Sequence, residues 1–172
     1  MDVTPEYCQM MAKYNAWQNS QVRAACEKLT EAELRADRGA FFGSVMATLN
    51  HVLWGDTLWM SRLEGGAGPA VTAQNHADIC PTFAVWSQER SRMDQRILQW
   101  ADRVKDADLS GDLQWHAVML GKDMAKPMGL CVVHMFNHQT HHRGQIHAML
   151  TGLGRDPGDT DLVLMPEGKS WH

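Results

Sequence analysis

Between residues 83 and 104 the apolar side chains Phe83, Trp86, Met93, Ile97, Trp100 and Val104 recur at steps of three and four or their multiples. That period commits the segment, near 81–105, to a helix with one buried stripe. Three more segments obey the same rule. Residues 5–29 carry Tyr7, Met10, Met11, Tyr14, Trp17, Ala25 and Leu29 behind Thr4-Pro5-Glu6. There Thr4 can cap, Pro5 suits the first turn and Glu6 faces the positive end of the helix dipole. After a break bracketed by Gly39 and Gly43, residues 44–64 place Val45, Leu49, Val52, Trp59 and Leu63 on one stripe and stop at Gly65-Gly66. Residues 128–153 end at Gly154, and Pro157 keeps that helix ended.

Four stripes of this kind bury one another in an all-α four-helix bundle. Residues 65–80 show no period and are rich in breakers, too long for a tight turn, so they predict a long crossover between the second and third helices. Residues 106–127, with Gly111, Gly121 and Pro127, are read as irregular or as holding a short strand. At 172 residues, 44% of them hydrophobic, the expectation is a single compact domain over 1–172. The 16 Lys and Arg against 20 Asp and Glu form no basic stripe, which disfavours a nucleic-acid partner. No apolar run reaches the roughly 18 residues of a membrane helix, and the first residues are neither basic nor followed by an apolar segment. A soluble, cytoplasmic protein with no membrane partner is expected. The four cysteines are far apart and form no Cys-x-x-Cys pair, so neither a disulfide scaffold nor a thiolate zinc site is indicated.

Five of the nine histidines fall within residues 134–147, where composition alone would place fewer than one. His138 and His142 are four apart, one helical turn above each other, with Cβ atoms about 5–6 Å apart, so both imidazoles can aim at one cation. The stripe through His134, His138, His142 and Gln145 continues to Met149, which turns it toward the bundle. His134 has the same spacing to His138 and is the substitute ligand, whereas His147 lies about 180° from His138 around the helix. The competing reading is a polar face of separately hydrogen-bonded histidines. A catalytic site of the zinc type takes three protein ligands and keeps one position open. For the third, His76 lies in the crossover, His116 in the unassigned linker, and His172 ends the chain; His51 alone is mid-helix, beside Ala47, Thr48, Gly55 and Leu58.

Three imidazoles suit Zn²⁺ or Ni²⁺ first, with Fe²⁺ and Cu²⁺ also compatible. Gln139 stands where a His-Glu-x-x-His protease has its glutamate, no glutamate is followed three residues later by histidine as in di-iron bundles, and Cys-x-x-Cys-His is absent.

Asn137-His138-Gln-Thr-His-His142-Arg143-Gly144-Gln145, continuing to Leu150-Thr-Gly-Leu-Gly154, together with Leu49-Asn50-His51-Val-Leu-Trp, resembles the DinB/YfiT-like metalloenzyme family over nearly the whole chain. The resemblance implies an up-down-down-up bundle, commonly a homodimer, with a divalent metal on His51, His138 and His142. It also implies a small-molecule substrate, with hydrolases and low-molecular-weight-thiol-dependent transferases among the activities known in the family. His134 and His141, each within a turn of a ligand, are the candidate catalytic proton shuttles. Asn50, Asn137 and Gln145 are candidates to orient ligand imidazoles, and Trp54 and Trp59 to line a pocket. The alternative to catalysis is a metal-stabilised binding or stress-response module.

Overall fold

The computed structural model describes residues 3–168, apart from the side chain of Met119; His172 lies outside the described residues. Helix α1 (Pro5–Cys26) starts where expected, with the Thr4 hydroxyl accepting from the Tyr7 N–H at 3.3 Å. It ends three residues before the predicted Leu29, because Thr30 begins another helix, α2 (Glu31–Arg35). Thr30 and Glu33 form a reciprocal capping box there, a Thr-x-x-Glu signal that apolar periodicity does not reveal in so short a helix. Helix α3 (Val45–Leu63) is capped by Ser44, and α4 (Phe83–Arg103) by Thr82. The crossover between them carries a 3₁₀ turn at Ala73–Asp78.

Residues 112–127 are an antiparallel hairpin of β1 (Asp112–Ala117) and β2 (Lys122–Pro127), in register Leu113 to Lys126 and Trp115 to Met124. Its alternation is muted because β2 is mostly exposed and turns only Met124 partly inward. Helix α5 (Met128–Gly152) follows directly. Gly154, at φ +68°, ends that helical stretch in a left-handed conformation that suits glycine.

Helices α1 and α3 each pack mainly against α4 and α5. The stripe on α4 is buried at Trp86, Met93, Ile97, Trp100 and Val104, with Phe83 half-buried. On α1, Tyr14, Trp17 and Ala25 are buried, but Met10 is 39% exposed. Met10 and Met11 are adjacent, about 100° apart around the axis, and only Met11 packs against the core. The Trp86 indole, though buried, donates to the Leu49 carbonyl at 3.0 Å, as an interior N–H requires.

A buried polar network crosses the centre of the bundle. Arg90 on α4 donates to Asp56 on α3 at 2.5 Å and forms an ion pair with Asp94 at 2.9 Å. Asp94 also accepts from Asn19 on α1 at 2.8 Å, and Asp56 from Gln139 on α5 at 2.8 Å. The guanidinium of Arg143 donates to Asn15. The Arg90 guanidinium thus meets two carboxylates, and this pairing offsets the cost of taking the three charges out of water. Burial works against the charge of Arg90, but Asp94 and Asp56 outweigh it; burial pulls Arg143 down to about 10, still charged at neutral pH. Among the described residues, no helix is long and apolar enough to cross a membrane.

Candidate metal centre

Helices α3 and α5 run antiparallel, so residues that ascend one meet residues that descend the other: His51 lies beside His142, Gly55 beside His138, and Trp59 beside His134. This register brings His51, His138 and His142 together. One ring nitrogen from each falls within 4.8 Å of the others. The Nε2 atoms of His51 and His138 are 3.0 Å apart, near enough to share one proton in the metal-free site and close to the spacing of two nitrogens that bond one cation at about 2.0–2.1 Å.

Protonation states suit the same role. Burial, then repulsion from its histidine neighbours, lowers His51 to about 3 and His138 to about 4. His142 is also lowered, chiefly by burial. All three imidazoles are therefore neutral at pH 7, the form that donates a lone pair. His142 and Gln145 meet at 2.8 Å through Nδ1 and Oε1. Since the amide oxygen can only accept, Nδ1 carries the proton and Nε2 is left free as the donor to a cation. Nδ1 of His51 is buried without a hydrogen-bond partner. Three neutral imidazoles make a donor set that fits a borderline divalent cation.

Gly55 makes the close approach of His138 possible. A Cβ at that position would lie 2.9 Å from Cε1 and 3.4 Å from Nδ1 of the imidazole. Gly55→Ala is expected to lower metal affinity about tenfold by pushing the ring aside, while leaving metal-free stability equal or up to about 1 kcal/mol higher through helix propensity. Metal titration and thermal melts on the same variant check this, and unchanged affinity would remove Gly55 from the site.

Aromatic side chains wall the centre. The ring of Phe42 lies 4.0 Å from that of His51 and 5.3 Å from that of His142. Trp54 lies parallel to His51 at 6.4 Å and donates to the Val71 carbonyl at 2.9 Å. His76, which sequence reasoning left in the crossover, packs edge-on against His51 at 4.6 Å. Its place could not be read from spacing, because a loop residue reaches a site only through tertiary contacts.

The remaining candidates are distributed differently from the sequence reading. His134 is not part of the three-nitrogen group. It is exposed and packs edge-on against Trp59 at 4.9 Å, because the expected inward stripe leaves the core at this end. Arg62 sits over the rings of Trp59 and Trp115 nearby. His141 is exposed, its ring 4.8 Å from that of His142. His147 is half-buried in a groove beside Tyr14 and Arg143. His116 pairs with Asp123 on the exposed hairpin. Of the three proposed orienting residues, Gln145 touches a ligand, Asn137 is exposed, and Asn50 instead donates to the carbonyls of Ala77 and Cys80 in the crossover. Nothing in the structure explains Gly144, where a Cβ would meet no atom within 4 Å.

Comparison with known proteins agrees with this fold. The model of the DinB family matches residues 1–171. Protein DinB of Bacillus subtilis (strain 168) is 26% identical over 157 residues, spanning 88% of this chain and 89% of that protein. The crystal structure of a DinB-like protein from Bacillus cereus ATCC 10987 superposes with a TM-score of 0.68 at 15% identity, over 92% of this chain and 99% of that one. At that identity the likeness speaks for the fold.

Proposed function

The chain belongs to the DinB family, and from that premise we propose that it is a metal-dependent enzyme acting on a small molecule, a hydrolase or a low-molecular-weight-thiol-dependent transferase. One observation carries the reading: three neutral imidazoles from two helices converge within 4.8 Å, the number of protein ligands that leaves a position for substrate. His51, His138 and His142 would hold the ion, with Zn²⁺ or Ni²⁺ first and Fe²⁺ next. A cation there supplies Lewis-acid chemistry, which at neutral pH makes a nucleophile of water or of a thiol.

The protein's own contribution is placement. Gln145 holds the tautomer of His142, Gly55 clears room for His138, and Phe42 and Trp54 shield His51 from water on their side. His134 and His141, exposed and within a turn of the ligands, would carry protons to solvent. We assign the working form as a cytoplasmic homodimer on the family pattern.

The test is elemental analysis of tag-free protein never exposed to chelators, followed by a screen of low-molecular-weight thiols with electrophiles and of ester and amide hydrolysis. About one divalent ion per chain, with turnover that disappears on chelation and returns with metal, is the expected result. Protein without metal would end the proposal. Metal without turnover would favour the second reading, a non-catalytic module, which draws support from the way the site ties α3 to α5.

A further inference from the structure

We infer that His76 is a displaceable fourth imidazole donor, which closes the open position of the three-histidine site until a substrate donor takes its place. The inference rests on the three-histidine reading. It starts from a buried atom: Nδ1 of His76 is shielded from solvent and has no hydrogen-bond partner. Burying such an atom unpaired is unfavourable. The ring lies 4.6 Å from that of His51 at an interplanar angle of 74°, and 4.9 Å from Phe42.

The crossover that carries His76 is pinned to the helix that carries His51. Asn50, the residue before His51, donates to the carbonyls of Ala77 at 2.6 Å and Cys80 at 3.1 Å. Trp54, three residues after it, donates to the carbonyl of Val71 at 2.9 Å. These two anchors flank His76 on either side along the chain, so the backbone delivers one more imidazole to the rim of the centre. His76 is not within the three-nitrogen group; donation needs its side chain to swing inward.

The local structure fits a ligand that yields. His51, His138 and His142 sit on helices of 19 and 25 residues. His76 sits on a six-residue 3₁₀ turn with no buried residue and with a non-helical break at Asn75. Such a segment opens at lower cost than a packed helix. An incoming thiolate or other anionic donor would therefore displace His76 and leave the other three in place.

The test uses tag-free, full-length protein loaded with Co²⁺, read by visible d–d absorption, X-ray absorption and titration with azide. Wild type is expected to show four nitrogen donors from imidazole and weak azide binding. His76→Ala and His76→Gln are expected to keep one cobalt per chain, to show three imidazoles and exchangeable water, and to bind azide at least about tenfold more tightly, because no internal competitor has to leave. Three imidazoles and equal azide affinity in all proteins would overturn the inference while leaving the three-histidine site intact. Loss of cobalt from folded His76 variants would overturn displaceability and make His76 an obligatory ligand. Wild type that binds no cobalt would overturn the three-histidine reading, and this inference with it.

Discussion

His138→Ala is expected to weaken divalent-metal binding roughly a hundredfold or more while the chain stays folded. Structural zinc sites release about 10–16 kcal/mol over four ligands, so each donor is worth on the order of 3 kcal/mol, or about two powers of ten in affinity. The ring of His138 is the middle of the group, 3.0 Å from His51 through the Nε2 atoms and 4.4 Å from His142 between ring centroids. Its removal leaves two donors on different helices, His51 on α3 and His142 on α5. His51→Ala and His142→Ala should show similar losses. His147→Ala and His116→Ala should bind metal like wild type, since one lines a groove beside Tyr14 and the other pairs with Asp123 on the hairpin. Competitive titration with a chromophoric chelator gives the affinities, and circular dichroism confirms folding. A uniform loss across all five variants would show that binding does not depend on this convergence.

Asp56→Ala is expected to produce the largest loss of stability of any single substitution in the bundle, about 3–5 kcal/mol. Asp56 is 1% exposed and accepts from both Arg90 and Gln139. Truncating it leaves Arg90, itself 1% exposed, beside Asp94 alone, and strands the Gln139 amide in the core. The cost is therefore that of a buried guanidinium that has lost its hydrogen-bonded carboxylate, plus an unsatisfied donor. In a chain of this size the loss would lower the melting temperature by on the order of 10 °C. Asp56→Asn, which keeps an acceptor for Gln139 but not the charge, should fall between Asp56→Ala and wild type. A cost below about 1 kcal/mol for Asp56→Ala would place the network among exposed, water-screened ion pairs instead.

The two predictions differ in how far the sequence could have led to them. His138 and His142 are four residues apart on one helix, so their shared direction follows from helical geometry alone. The cap at Thr4, the start of the second helix near Ser44 and the stripe on α4 are local in the same sense, and the structure bears them out. The Asp56–Arg90–Asp94 network is not local. Its members come from α3 and α4 and its further partners from α1 and α5, and an aspartate on a helix has no sequence signature that separates a buried ion pair from a solvated one. Gly55 and His76 are of the same kind, since their importance rests on what an element distant in sequence brings within reach.

The sequence by itself determined the four long helices, their approximate ends and the pair of imidazoles on the last of them, because each depends on contacts within about four residues along the chain. It also singled out His51, mid-helix beside small and apolar side chains, as the third donor, and the family resemblance implied the same residue. Tertiary structure alone decided the antiparallel register of α3 against α5, and with it the convergence of His51 on His138 and His142. It also decided the outward turn of His134, the hairpin at 112–127 and the passage of the crossover over the centre. Those features depend on which buried surfaces and polar groups satisfy one another across the bundle. That is a property of the packed chain as a whole, which no local window contains.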